Sequence, residues 1–272
     1  MHSSQGQPSL IAGAWEQEFL ELVEGTEHDL RLMAPFVRQS VVVDTLEHLS
    51  ASAELTLVSS FSIASFSQGA SEVAAFRRVL ERGGRVRNWQ RLHAKMYIFD
   101  NTTAVVTSAN LTRGGLCGNY EYGVRMSGHE VVAAATADFD RLANNRHAGR
   151  IGDRLLDEID ALLTQLPPKP RFHIPLPQIA TEEDEIEPVL EDGAALMAPA
   201  LNGWRKTVFD VVDAIPTHEF ALADVYLAVP ELRAQYPDNT HIEPKIRQQL
   251  QGLRDMGLLK FLGGGKYRKL WS

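Results

Sequence analysis

Apolar and polar positions in the first 165 residues switch repeatedly between two periods. DLRLMAPFV (29–37) and ELTLVSSF (54–61) concentrate aliphatic residues over strand lengths, and each is followed by a helical run, VVVDTLEHLSAS and then SEVAAFRRVLERGG. In the second helical run Val73, Phe76, Val79 and Leu80 share one face, and Gly83-Gly84 provides a stop. RVRNWQRL, AKMYIFD and TAVVTSA follow as strands with short connections. LTRGG reads as a brief turn or helix, YEYGVRM (120–126) as a strand, and the stretch from about Glu130 to Asn145 as a long helix. This alternation predicts an α/β sandwich, with a mixed sheet covered on both faces.

The pattern changes after residue 165. LPPKPRFHIPLPQIATEEDEIEPVLEDG (166–193) strings prolines and then carboxylates, which neither donate a regular ladder nor bury enough apolar surface to order themselves. We expect domains at 1–165 and 201–272, with 166–200 as an extended linker. Beyond it NGWRKTVFDVVDAI (202–215) sets Trp204, Val208, Val211, Val212 and Ile215 on one side of a helix, and LADVYLAVPELRAQY forms a second helical region. EPKIRQQLQGLRDMG (243–257) is a third, with Pro244 in its first turn and Ile246, Leu250 and Leu253 along a seam. LLKFLGGGKYRKLW then reads as a hairpin around three glycines. Helices followed by a basic hairpin predict a small winged helix-turn-helix.

Composition changes this picture little. The chain has 272 residues, 44% hydrophobic and 23% charged, as expected of a globular protein. No apolar run approaches the ~18–20 residues of a membrane span, and MHSSQGQPSL lacks a basic-then-apolar leader, so a cytoplasmic location without membrane contact is expected. The single cysteine, Cys117, excludes an internal disulfide. The net charge of −8 is unevenly spread: residues 201–272 alone carry +2. Local clusters therefore decide what the protein binds.

One stretch carries unusual chemistry. In RLHAKMYIFDNTTAVVTSANLTRGGL (91–116), His93 and Lys95 are two apart, so on a strand they project from one face, and on the next strand Ser108 and Asn110 are likewise two apart. A hairpin turning at Asp100-Asn101-Thr102 would converge both pairs at one sheet edge. A cation, an imidazole and two neutral hydrogen-bonding groups would then suit a phosphodiester, whose charge must be offset and whose leaving oxygen must be protonated. Clustered carboxylates or His/Cys sets at ligand spacing are not seen, so neither a metal nor another cofactor is expected.

His93-x-Lys95-x4-Asp100, six residues, then Thr107-Ser108-x-Asn110 resembles the HKD motif of the phospholipase D superfamily. Thr107 departs from it, since many members carry glycine there. The resemblance implies one half of a phospholipase D-like sandwich. It also implies catalysis by two histidines, one forming a phosphohistidine and one protonating the leaving group. The chain has one such motif and no internal repeat. Single-motif members homodimerise, so the resemblance implies a homodimer through the N-terminal domain, sharing His93, Lys95 and Asn110 of both copies. It further implies that Glu121 hydrogen-bonds a histidine, and Asp100 is read as structural. Arg77, Arg78, Arg82, Arg85, Arg87 and Arg91 lead into His93; they form either a solvated face or a guide for a polyanion.

The third C-terminal helix offers Lys245, Arg247, Gln248, Gln249, Gln251 and Arg254, and the hairpin Lys260, Lys266, Arg268 and Lys269. Lysine and arginine suit phosphates or guanine edges, and glutamine suits adenine. We select Lys245, Arg247, Gln248, Gln251, Arg254, Lys266 and Arg268 as DNA-binding candidates. This segment is similar to winged helices appended to some restriction endonucleases. Together the resemblances imply a metal-independent DNA endonuclease of a restriction or defence type. The rival readings are a non-catalytic DNA-binding accessory and a lipid phosphodiesterase.

Overall fold

The structure is a computed structural model and describes residues 6–168, 170–173 and 188–272. In chain order the first part comprises β1 (Gly6–Ala12), α1 (Glu16–Glu24), β2 (Asp29–Met33), α2 (Gln39–His48), β3 (Glu54–Ser59), α3 (Ile63–Ser67), α4 (Val73–Glu81) and β4 (Arg85–Asn88). β5 (Met96–Phe99), β6 (Thr103–Thr107), β7 (Tyr122–Ser127), α5 (His129–Ala143), β8 (Gly149–Ile151) and α6 (Asp153–Gln165) follow. Contacts divide the chain into two compact units, residues 1–61 with 68–153, and 62–67 with 154–272. α6, expected with the first domain, thus groups with the second unit from residue 154 onward.

All eight strands of the first unit form one sheet in the order β1-β7-β6-β5-β2-β3-β4-β8. β2, β3 and β4 are mutually parallel, joined by helical crossovers, while β5, β6 and β7 form an antiparallel meander beside β2. β1 and β8 close the edges antiparallel. Both are short or polar enough to escape a periodicity reading. Under one face of β2, β3, β5 and β6, Val132, Phe139 and Ala143 of α5 pack with Met33, Val58, Ile98 and Ala104. On the other side Phe19 of α1 meets Tyr97 and Phe99 edge-on at ring separations of 5.6 and 6.2 Å. Coverage is incomplete, contrary to expectation: on β1, β7 and β6, Leu10, Tyr122, Val124 and Val106 are exposed.

The second unit adds β9 (Phe172–His173), β10 (Val189–Leu190), α7 (Gly193–Met197), α8 (Gly203–Asp213), β11 (Glu219–Ala221), α9 (Leu222–Tyr226), α10 (Val229–Gln235), α11 (Ile242–Asp255), β12 (Leu259–Gly263) and β13 (Lys266–Lys269). The linker expected at 166–200 is folded at its C-terminal end. Leu190 N–H donates to Leu270 O at 2.9 Å, and Gly193 N–H to Ser272 O at 3.0 Å. A Cβ on Gly193 would stand 2.3 Å from that of Trp271, so the close approach needs glycine. The acidic run at 182–187 lies outside the described residues. Ile246, Leu250 and Leu253 of α11 are buried, as their spacing predicts. β11, β13 and β12 form a three-stranded sheet whose tip, Gly263-Gly264-Gly265, has φ of 92°, 56° and 78°, a conformation only glycine adopts without strain.

Candidate active site

The β5–β6 hairpin builds the site. Its turn places Asp100 and Asn101 at φ 48° and 54°, and Thr102 N–H donates to Phe99 O at 3.0 Å. Asp and Asn are the non-glycine residues that tolerate this left-handed pair. The register pairs Met96 with Val106, and one step further Thr107 N–H donates to Lys95 O at 3.1 Å. His93 and Lys95, just before β5, therefore lie beside Ser108 and Asn110, just after β6. Lys95 Nζ lies 3.5 Å from His93 Nε2, and His93 is exposed.

Asp100 stands at the far end of the hairpin and accepts from the backbone N–H groups of Glu27, His28 and Asp29 at 2.7, 2.7 and 2.8 Å. Burial alone would raise its pKa, but these three donors outweigh it and hold the carboxyl below the ordinary aspartate value. It ties the hairpin to the start of β2, a structural role.

Glu121 is 8% exposed and sits at the inner wall of the site. Its carboxylate accepts from the Ser108 hydroxyl and from Asn119 Nδ2, the latter at 3.1 Å. Within the chain these donors, rather than the expected histidine, engage it. Ser108 Oγ in turn accepts from Tyr122 N–H at 3.1 Å. A serine has one O–H, and here it goes to Glu121. Asn110 is aimed differently: its Oδ1 accepts from Phe36 N–H at 3.4 Å, which leaves the amide NH₂ as the donating end. Burial lowers the Lys95 pKa, and the nearby Glu121 charge opposes that shift.

Beside Thr107, three supporting residues are not read from the sequence. Tyr97 is fully buried, and its hydroxyl donates to Ala109 O at 2.8 Å, fixing the Ser108–Asn110 turn from below. Burial, reinforced by Glu121, keeps that phenol protonated far beyond its ordinary range. Thr107 Oγ1 donates to Tyr122 O at 3.0 Å and accepts from Ala109 N–H at 3.1 Å. The bulk it adds is met by Gly123, where a Cβ would lie 2.8 Å from the Thr107 Cβ. A Cβ on Gly115 would lie 2.3 Å from Asn110 O. The adjacent glycines of LTRGG signalled such a close approach, and that segment is a single π-helical turn, Gly114–Gly118.

Five of the six arginines leading into His93 have separate partners. Arg78 pairs with Glu81 at 3.0 Å, Arg85 with Glu54 at 3.6 Å and Arg77 with Asp153 at 3.9 Å. Arg82 donates to Ser50 O at 2.7 Å, and Arg87 to Ala143 O at 3.1 Å.

In the second unit the candidate DNA contacts also separate. Arg247, Gln248, Gln251 and Lys266 are exposed and Lys245 half-buried. Lys245 donates to Gln248 Oε1 at 2.9 Å, and Arg247 to the Tyr226 hydroxyl at 2.5 Å. Arg254 is a correction: it is 8% exposed and gives two hydrogen bonds to Asp255 Oδ1, at 2.9 and 2.7 Å. Burial raises the Asp255 pKa and Arg254 opposes it, as expected of a buried ion pair. Arg268 is held by Glu219 at 2.9 and 2.6 Å across β11 and β13. Lys260, Lys269 and Gln249 are buried. Lys269 Nζ donates to the carbonyls of Asp213, at 3.0 Å, and Ile215, closing the end of α8.

Residues 20–143 match the family model described as cardiolipin synthase, PLD-like domain. The chain thus carries a phospholipase D-like domain, in agreement with the motif and the mixed sheet. Residues 201–269 match the Dam-replacing HTH domain, so the helices and wing that follow belong to that class. Among solved structures, Nuc, a phospholipase D family member from Salmonella typhimurium, is similar at 17% identity and a TM-score of 0.45, covering 53% of this chain and 99% of that one. NucT from Helicobacter pylori gives 12% and 0.40, covering 50% and 94%. Phosphatidylserine synthase from Haemophilus influenzae gives 13% and 0.41, covering 53% and 40%.

Proposed function

We propose that the protein is a metal-independent DNA endonuclease that cleaves phosphodiesters through a phosphohistidine, at a site shared by two copies. What supports this reading is the hairpin register, which sets the His93–Lys95 and Ser108–Asn110 segments at one end, with Lys95 Nζ 3.5 Å from His93 Nε2 and one such motif in the chain. Lys95 and Asn110 would hold the nonbridging oxygens, where charge builds up in the transition state. One His93 Nε2 bonds to phosphorus as the P–O ester bond breaks, and the departing oxygen takes a proton from the imidazolium of the second copy's ring. That ring, now neutral, takes a proton from water as the water attacks phosphorus. The P–N bond breaks, releasing a phosphomonoester. Glu121, oriented by Ser108, supports the Lys95 charge.

The helix-turn-helix supports DNA as the substrate, because the half-buried Lys245 and the exposed Arg247, Gln248 and Gln251 present donors for phosphates and bases on one helix. Restriction or genome defence in the cytoplasm is the setting that such a pairing of cutter and reader fits. No described helix is long and apolar enough to cross a membrane. Plasmid cleavage in excess EDTA tests the proposal, with His93→Ala alongside. Cleavage by the native protein and none by the variant is expected. DNA binding by both, with cleavage by neither, would leave an accessory protein instead.

A further inference from the structure

Arg247 stands in the first half of α11 with its side chain exposed, and part of its hydrogen-bonding capacity is already committed. Its Nη1 donates at 2.5 Å to the hydroxyl of Tyr226, the last residue of α9. Among the described residues its Nε and Nη2 have no hydrogen-bonding partner. Those two nitrogens form one edge of the planar guanidinium, a fork that matches a pair of oxygens on one anion. Tyr226 is half-buried, and its phenol accepts from the arginine while keeping its own proton to donate. It and Arg247 bear in opposite senses on the acidity of the buried Tyr267 in β13, which brings all three to one corner. Tyr267 is itself packed against Phe220 and Phe261, at ring separations of 5.6 and 5.1 Å. The corner is therefore packed at its base and open at its rim, where Leu227 is 81% exposed.

An arginine that grips an anion loses rotamer freedom as it does so. One already bonded to a neighbouring helix has lost part of it before the ligand arrives. The tether also fixes a direction. In a helix-turn-helix the recognition helix lies in the major groove, and the helical segment before it, here α9 and α10, crosses the backbone. A guanidinium tied to α9 is held at the flank of α11, toward the sugar–phosphate strand. We infer that Tyr226 is a positioning residue of the DNA reader, holding Arg247 so that its free edge grips one phosphate. The inference rests on the reading of DNA as the partner and adds to it a residue outside α11.

Titrations of the full chain with duplexes of unrelated sequence, at several salt concentrations, test the assignment. Tyr226→Phe is expected to weaken binding about 3–10-fold on every duplex, the effect of one hydrogen bond. The slope of log affinity against log salt should not change, because the guanidinium remains. In an Arg247→Ala background the same substitution should cost less than about two-fold, since the hydroxyl then has nothing to hold. Arg247→Lys keeps the charge without the fork, and serves if Tyr226→Phe does not fold: it too should weaken binding at an unchanged slope. Equal losses from Tyr226→Phe in both backgrounds, or native affinity in Tyr226→Phe or Arg247→Lys, would overturn the inference. So would a loss confined to duplexes carrying one particular base pair, which would give Arg247 to a base edge. A native chain that binds no duplex would remove the DNA reading and this inference with it; native binding with additive losses would remove the inference alone.

Discussion

Ser108 carries one O–H and Glu121 takes it, so the acid is fixed beside Lys95 before any substrate arrives. Burial draws the Lys95 pKa below the ordinary lysine range and Glu121 pulls it back up. Cleavage that needs the ammonium should therefore fall on the alkaline side, and Glu121→Gln, which removes the raising charge, should move that limb to lower pH. A pH–rate profile measures the shift; superimposable limbs would refute the coupling. His93→Ala should lower cleavage by more than about 10³-fold without changing the fold. Asp100 makes the opposite kind of prediction. Its folded pKa is depressed, so its contribution is complete above the unfolded value and disappears as the pH falls through the folded one. Asp100→Ala should cost roughly 2 kcal/mol near neutral pH, from lost charge-assisted backbone bonds, and progressively less in acid below the ordinary aspartate range. Thermal melts at both extremes read the difference.

At the scale of elements, the hairpin explains why so much of the site could be read from the chain. A tight three-residue turn fixes register and sets the His93–Lys95 and Ser108–Asn110 segments at the same end of the hairpin. What lay hidden depended on strands joined only by the fold. Thr107 is tolerated because Gly123, its register partner on β7, has no side chain. Gly123→Ala should destabilise by about 1–3 kcal/mol through overpacking, and Thr107→Gly should recover part of that loss in the double variant. Denaturant titrations close that cycle. Arg254 is the instructive error, because the sequence held the correction. Ile246, Leu250 and Arg254 are each four apart, which sets the arginine on the buried seam of α11. Leu190 was harder: a two-residue strand has no period, and its partner Trp271 lies at the other end of the unit.

For the molecule as a whole, the proposal separates reading from cutting, and substitutions should separate them too. Arg247 and Lys266 are exposed on the reader, whereas Arg254 is buried against Asp255. Replacing an exposed arginine that neutralises one phosphate releases about one fewer counterion, so the slope of log affinity against log salt should flatten by about 1. Arg247→Ala should do this while cleavage at saturating DNA stays close to native, because no atom of the chemical step is touched. Arg254→Ala should behave otherwise. It takes the adjacent guanidinium from the buried Asp255 carboxylate, a loss of about 3 kcal/mol, and any weaker DNA binding should track unfolding of the second unit. Binding isotherms at several salt concentrations, read beside the melting curves, discriminate the two. A lowered salt slope in a fully folded Arg254→Ala would return that residue to the DNA surface and contradict the burial on which its exclusion rests.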